Sequence, residues 1–389
     1  MNQETKFTQD AITIIGSGLA GYTVIREIRK LDKTVPITLI TREPGYFYSK
    51  PMLSTALASK KEASQLISTP SDEMASQLDI NILARTEVKA IHADEQLIDT
   101  DQGQFHYGKL VLAMGADQIR LPLQGSAANE VLTVNDLEDY DKFRQQIQGK
   151  KRVAILGAGL IGCEFANDLV LSAYEVDVID MAPHVLGRLL PQEAALELSS
   201  KLASAGVSWH FNTTIQSIDH LEDGLKVTLA NGSSFTSDVV LSAIGLKPRL
   251  DLARVAGIQT HIGIVVNREL KTSAKNVFSL GDCAEVNGLL LPYVMPIMQA
   301  ARALAPNLLD QKTILNYPAM PVMVKTPSLP TIVSPPPKDV SGKWKVQKVD
   351  GGIEARFESE DNKLLGFALM GSATAQRAAL TKELPPLLA

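Results

Sequence analysis

Two cysteines in 389 residues set the first limits on this chain. Cys163 and Cys283 lie far apart, and neither belongs to a C-x-x-C or C-x4-C pair. Local spacing therefore offers no redox dithiol and no metal cluster, and both read as small buried apolar residues. So few cysteines fit a reducing compartment. No run approaches the roughly 18 apolar residues that a membrane span needs. The opening MNQETKFTQD has no apolar signal-peptide core, and the first apolar run leads into a glycine loop instead of a cleavage site. The expected setting is the cytoplasm. An excess of basic residues is also missing: net charge −5 and pI near 5.8 argue against nucleic acid or an anionic membrane as the main partner.

What is present is a globular composition, 45% hydrophobic and 21% charged, in a chain long enough for two or three domains. Two stretches repeat one design. AITIIGSGLAGYTVIREIRKL reads as a buried strand, a G-x-G-x-x-G loop (Gly16, Gly18, Gly21) and a helix with periodic apolar positions. KRVAILGAGLIGCEFANDLV repeats it with Gly157, Gly159 and Gly162. The first glycine of each makes a tight turn, the second lets a pyrophosphate approach the backbone, and the third allows helix to pack on strand. The helix N-terminus faces the phosphates, so the backbone of Ser17, Leu19 and Ala20, and of Leu160 and Ile161, belongs to the two sites. One such loop alone is weak evidence. Here each also meets a second strand that ends near an acid suited to ribose hydroxyls: ITLITRE, with Thr41, Arg42 and Glu43, and EVDVID, with Asp180. Two dinucleotides are expected. Asp180 would repel a 2′-phosphate and favours NADH, although Arg188 is close enough in sequence to swing toward one.

Three further stretches assign the first loop to FAD. KLVLAMGA ends a strand in A-x-G (Ala113, Gly115), where a chain leaves one nucleotide domain for the next. DVVLSAIGLKPR, with Gly245, has the same form and marks the return. NVFSLGDCAEV ends a strand in Gly281-Asp282; the glycine allows close backbone approach, and Asp282 serves either a ribityl hydroxyl or a helix N-cap. YVMPIMQAARALAPNLL then reads as a helix with Pro296 in its first turn and Val294 just before it. Its dipole would favour negative charge on a reduced flavin, the alternative being a ligand-free amphipathic helix. The expected fold is α/β. Residues 1–116 and 239–315 form a split FAD domain, 117–238 an inserted NAD(H) domain of the same βαβ type, and 316–389 a small α+β domain.

The loops, the crossing strands and LGDCAEV together resemble the FAD- and NAD(P)H-dependent pyridine nucleotide-disulfide reductase superfamily. Within it, YSKPMLS, GLIGCEFANDL, LGDCAEV and MPVMVKTP are similar to the rubredoxin–NAD reductase group, along nearly the whole chain. The resemblance implies a reductase that takes hydride from NADH onto FAD and passes single electrons to the iron of rubredoxin, a small acidic protein, typically in alkane degradation. It implies that Lys50 of YSKP stands beside the flavin with Glu164 opposite it as a charge partner, that Lys325 of MVKTP reaches the flavin, and that the backbone at Val88, in the stretch NILARTEVKAI that reads as a strand, pairs with adenine. Read from the residues alone, Lys50 and Lys325 also fit ordinary solvated lysines, and Glu164 a first-turn helix acid.

Where disulfide reductases carry a cysteine pair, this chain has Lys50 and Pro51, so the flavin is expected to discharge directly into its acceptor. Alternatives are a reductase of flavorubredoxin in nitric oxide detoxification, a ferredoxin reductase of a dioxygenase and an NADH-sensing flavoprotein of the apoptosis-inducing-factor kind. The ferredoxin reductases generally carry arginine at the Lys50 position and a tryptophan-rich C-terminal run, which is missing here. NADH oxidase or peroxidase chemistry would want a cysteine near Tyr48–Lys50. In the third domain MPVMVKTP and PTIVSPPP read as short strands broken by prolines, WKVQKVDGGIEARFESEDNKLLGFALMG as a hairpin and ATAQRAALTKELPPLLA as a terminal helix. Lys338, Lys343, Lys345 and Lys348 read as a solvated strand face or, ranked below it, as a docking patch for an acidic partner. A monomer or weak homodimer is expected from the short third domain, and no resident metal.

Overall fold

A computed structural model describes residues 11–389; the N-terminal stretch read for a signal segment lies outside the described residues. The apolar run Ile12–Ile15 is buried along its whole length, as a central parallel strand must be. It sits in a five-stranded parallel sheet, ordered Val277–Ser279, Lys109–Leu112, Ile12–Ile15, Ile37–Ile40, Asn81–Leu83. The second unit copies this plan with Leu132–Thr133, Val239–Ser242, Arg152–Leu156, Glu175–Ile179 and Val207–His210. Each unit also carries a three-stranded antiparallel meander, Val88–His106 in the first and Ile215–Ser237 in the second.

Two boundaries differ from the sequence reading. Val239–Ser242 was expected to open the returning FAD segment, but it pairs in parallel with Arg152–Leu156 and completes the second sheet. The strand DVVLS is the counterpart of KLVL: each pairs in parallel with the strand that leads into its unit's glycine loop, after which the chain crosses. The crossing itself is a two-stranded antiparallel ribbon, Ala116–Gln118 against Leu246–Pro248. NILARTEVKAI, read as one strand, is two, Asn81–Leu83 and Val88–His92, with Arg85 between them at a left-handed φ of 53°.

The third unit is a five-stranded antiparallel sheet ordered Val322–Val324, Thr331–Ser334, Leu364–Gly371, Gly352–Glu358, Lys343–Val349. The stretch read as a hairpin is thus a three-stranded meander that the two proline-bounded strands extend. A short terminal helix, Arg377–Glu383, follows. Val324, Val333, Ile353, Ala355 and Met370 of this sheet join the core cluster of the second unit, so the third unit is packed onto the helix that follows the second glycine loop. Among the described residues no helix is long and apolar enough to cross a membrane.

Candidate active site

The two glycine loops show which glycines the protein needs for its own packing and which it leaves open. A Cβ on Gly16 would lie 2.3 Å from the Ala113 carbonyl oxygen, and one on Gly21 would lie 2.0 Å from the Gly16 oxygen. In the second loop the same positions, Gly157 and Gly162, would meet backbone oxygens at 2.7 and 1.8 Å. A Cβ on Gly18 or Gly159 would meet nothing within 4 Å. The middle glycine therefore faces free space, which is where a bound pyrophosphate approaches the backbone. Gly18 and Gly159 are also the caps of helices Leu19–Leu31 and Leu160–Leu171, with no side chain capping either and no acid in either first turn. The free amides of Leu19, Ala20 and Gly21, and of Leu160, Ile161 and Gly162, are left for an anion.

Around the first loop, the Ser17 and Thr41 hydroxyls share a buried hydrogen bond of 2.9 Å. Arg42 reaches Asp117 of the crossing ribbon at 3.5 Å. Glu43 lines a cleft of about 290 Å³ with Tyr46, Tyr48 and Asp136. Burial pushes its carboxyl above the usual range, and the neighbouring charge of Asp136 adds to this. Val88 begins the outer strand of the first meander, with one strand edge unpaired. Gly115 takes a φ of 69°, and Ala113 is buried beside Gly16. Gly281 has a φ of 84°, and a Cβ there would sit 2.9 Å from that of Ala20. Glycine at this position lets the Gly-Asp turn press against the first turn of the loop helix, which brings Asp282 to the first site. Burial pushes the Asp282 carboxyl upward, and the charges of Lys50 and Arg249 pull it back down. Val294 is the first residue of helix Val294–Leu308, exposed, with Pro296 in the first turn as the sequence suggested.

At the second loop, Asp180 does more than await a ribose. Its two carboxylate oxygens accept the amides of Ala158, at 2.5 Å, and Ala182, at 2.7 Å. The acid thus clamps the loop between its glycines and keeps a negative charge there. Gly245, with φ 122°, lies between strand Val239–Ser242 and the crossing strand Leu246–Pro248.

Lys50 stands at the head of the short helix Lys50–Thr55, where Pro51 suits the first turn. The first loop helix fixes its approach. Tyr22 donates to the Gly45 carbonyl and meets Phe47 edge-on, with centroids 5.7 Å apart, while the Arg26 guanidinium lies 3.9 Å over the Phe47 ring. Burial lowers the affinity of the Lys50 amine for its proton; Arg249 adds to this, and the carboxylates of Asp282, Glu43 and Asp136 oppose it.

The expected Lys50–Glu164 pair is not formed. Lys50 donates instead to Oδ1 of Asn135 at 2.7 Å. Glu164, 3% exposed, pairs with the ammonium of Lys325 and accepts the Lys325 amide at 3.0 Å and the Ser54 hydroxyl at 2.6 Å. The lysine of the third unit is therefore the partner of the acid on the second loop helix. The physical reason is reach: Lys325 Nζ also bonds Ser54 Oγ at 3.1 Å, so it is anchored twice over the carboxylate. A buried carboxylate must find donors, and here three converge on it: the Lys325 ammonium, the Lys325 amide and the Ser54 hydroxyl. One helical turn on, Asp168 accepts the amides of Leu57 and Ala58 at 3.0 and 2.9 Å, and Asn167 accepts that of Ser328 at 3.1 Å. The second loop helix thus clips the Lys50 segment and the third unit to itself.

Sequence reasoning missed Ser54, Asn135 and Asp168. Ser54 was within reach, four residues after Lys50 in the same run. Asn135, beside the Asp136 that caps helix Leu137–Ile147, carried no signal beyond that of a helix start.

These residues fit both cofactors: open middle glycines, uncapped helix ends, an acid after the second strand of each unit and an amine near the first site. Residues 10–305 match the model of the pyridine nucleotide-disulphide oxidoreductase family. The chain belongs to that family. Residues 315–384 match its rubredoxin binding C-terminal domain companion. The chain is 45% identical to a rubredoxin-NAD(+) reductase of Acinetobacter baylyi, covering 97% of this chain and 98% of that one. It is 44% identical to a rubredoxin-NAD(+) reductase of Alcanivorax borkumensis, covering 97% and 99%. Among solved structures it is similar to a ferredoxin reductase from Rhodopseudomonas palustris, with TM-score 0.87, 26% identity and coverage of 97% and 95%. As a member of the pyridine nucleotide-disulphide oxidoreductase family it is an oxidoreductase with FAD and NAD(H) as cofactors.

Proposed function

We propose that the protein is an NADH:rubredoxin oxidoreductase in which Lys50 and Glu164 act at the flavin. The observation that carries this reading is that Lys50 faces Asp282 beside the first glycine loop while Ser54, in the same short helix as Lys50, bonds the Glu164–Lys325 pair, with a rubredoxin binding domain supplying Lys325. FAD, when bound, accepts two electrons as hydride and gives them up one at a time, so that NADH and two ferric rubredoxins yield NAD+, a proton and two ferrous rubredoxins.

The chain's own contribution is binding and electrostatics. The amides of Leu19 to Gly21 would hold the FAD pyrophosphate, with Glu43 placed for the ribose and Asp282 for the ribityl chain. The amides of Leu160 to Gly162 hold that of NADH, and the charge of Asp180 disfavours a 2′-phosphate. Glu164 and Lys325 cancel each other's charge, whereas Lys50 touches a neutral amide. Lys50 is thus the lysine not held in direct contact with a carboxylate, and its charge, countered only through space by Asp282, Glu43 and Asp136, is the one available to stabilise an electron-rich ring. Lys325, held by Glu164, links the acceptor-binding unit to the nicotinamide helix.

The test is an anaerobic assay of the purified flavoprotein with NADH and a panel of rubredoxin, flavorubredoxin, ferredoxin, peroxide and disulfide. Fast turnover with rubredoxin and not with the others is expected. Preference for flavorubredoxin, or turnover limited to peroxide or disulfide, would overturn the assignment.

A further inference from the structure

The acceptor of the Lys50 proton comes from a residue outside every nucleotide motif. Asn135 is 9% exposed and lies between strand Leu132–Thr133 and helix Leu137–Ile147 of the second unit. Its Nδ2 donates to the carbonyl of Ala116, at the start of the crossing ribbon, at 2.9 Å. That bond fixes which way the amide faces: with Nδ2 committed to a carbonyl, Oδ1 must point the other way and can only accept. It accepts from Lys50 Nζ at 2.7 Å. The backbone is pinned too. The Asn135 amide donates to Asp139 Oδ2 at 3.1 Å, and Asp139 in turn is held by the cap residue Asp136 at 2.8 Å. Gln118 of the ribbon donates to the Val134 carbonyl at 2.7 Å, tying the same loop to the crossing from the other side. Tyr48, two residues before Lys50, accepts the Leu137 amide at 3.2 Å.

An amide oxygen differs from a carboxylate in one decisive respect. It orients an ammonium without cancelling its charge. Glu164 is in direct contact with Lys325, whereas Lys50 touches only the amide; the carboxylates of Asp282, Glu43 and Asp136 act on it through space, and the Arg249 guanidinium opposes them.

We propose that Asn135 is a positioning residue for electron transfer: its amide oxygen holds the Lys50 ammonium at the flavin site without adding a further negative charge to the carboxylates of Asp282, Glu43 and Asp136 that already act on it. The proposal rests on the reading of Lys50 given above. Asn135 acts through Lys50 and touches no substrate. Three consequences distinguish this from a packing role. Removing the acceptor leaves an ammonium that burial already disfavours with one hydrogen bond fewer, so its proton is lost at lower pH. Replacing the amide by a carboxylate cancels the charge and lowers the flavin midpoint potential. Both effects require Lys50 to be present.

The experiment uses the FAD-loaded enzyme, with Asn135→Leu and Asn135→Asp measured beside Lys50→Met and the Lys50→Met/Asn135→Leu double variant. Flavin content, the rate of flavin reduction by NADH, the KM for NADH, the pH profile of kcat and the flavin midpoint potential are read for each. Asn135→Leu is expected to slow flavin reduction about tenfold, within the range of lost preorganised polar contacts, and to shift the alkaline limb of kcat to lower pH. KM for NADH stays within about twofold, because the second glycine loop is untouched. Asn135→Asp is expected to lower the midpoint potential. In the Lys50→Met background the Asn135→Leu effect should vanish. Unchanged pH limb and potential in both Asn135 variants, with Lys50→Met slow, would overturn the role of Asn135 alone. A Lys50→Met enzyme with normal rate and potential would overturn the Lys50 reading and the proposal with it. An Asn135→Leu effect that persists in the double variant would make the residue structural and also overturn the proposal. Where the leucine variant fails to retain FAD, Asn135→Ser takes its place under the same outcomes.

Discussion

Lys50 owes its role to what surrounds its amine more than to its place in a motif. Burial lowers its proton affinity and a neutral amide holds it, so its charge is conditional on pH. The sign follows directly: the folded value lies below that of a free lysine, so the charge is lost as pH rises, earlier than for an exposed lysine. Turnover is therefore expected to fall on the alkaline side below the ordinary lysine range. Lys50→Arg should move that limb upward, because a guanidinium keeps its proton, as pH profiles of kcat would register. Lys50→Met is expected to keep its flavin and lose about a hundredfold in electron transfer; stopped-flow reduction at full flavin occupancy checks this, and wild-type rates would remove Lys50 from the chemistry. At this scale the sequence was only half legible. YSKP and GCE marked Lys50 and Glu164, but the spacing of residues along the chain carries no information on which buried lysine reaches which acid. That choice is made by the third unit, whose strand Val322–Val324 delivers Lys325 onto Glu164.

At the scale of elements, the three glycines of each loop separate into two jobs that one substitution series can distinguish. Gly18→Ala adds a methyl that meets no protein atom, so the apoprotein should keep its stability within about 0.5 kcal/mol, while FAD content falls because the methyl enters the phosphate space. Gly21→Ala drives its methyl into the Gly16 carbonyl and is expected to cost about 2 kcal/mol or more. Thermal melts of apoprotein beside flavin-to-protein absorbance ratios report the two losses separately; equal destabilisation by both would refute the division. This much was readable in advance, since strand, loop, helix and acid recur in fixed order and each glycine has a steric reason.

The clip made by the second loop helix was not readable, because Asp168 and Asn167 look like ordinary polar positions of an amphipathic helix. Asp168→Asn presents one N–H₂ edge to two backbone amides, leaving one of them unanswered in a buried place, and should cost about 1–3 kcal/mol of holoenzyme stability. A melting curve superimposable on wild type would show that the amides of Leu57 and Ala58 find other partners.

For the molecule as a whole, the order of the three units was legible from the two crossing strands, whereas the exact return point was not. A strand that closes one sheet and a strand that opens the next look alike when both are buried apolar runs, and only pairing with Arg152–Leu156 gives Val239–Ser242 to the second unit. The scarcity of sulfur is the global feature that bears most on function. Both thiols are fully buried: Cys163 donates to the Ala158 carbonyl, and Cys283 faces Ser279 and the Leu112 carbonyl. Burial pushes both thiols up, so neither is a thiolate at neutral pH, and only a thiolate attacks or relays. If electrons leave the flavin directly for the acceptor, sulfur is dispensable. The Cys163→Ala/Cys283→Ala enzyme is then expected to lose about 1–2 kcal/mol of stability from two small buried side chains, while its NADH:rubredoxin turnover at full flavin occupancy stays within about twofold. Each single variant should behave likewise, which separates a folding defect at one site from a redox role at the other. A collapse of turnover in a variant that still binds FAD and is still reduced by NADH would place a sulfur between flavin and iron, and the direct path would have to be abandoned.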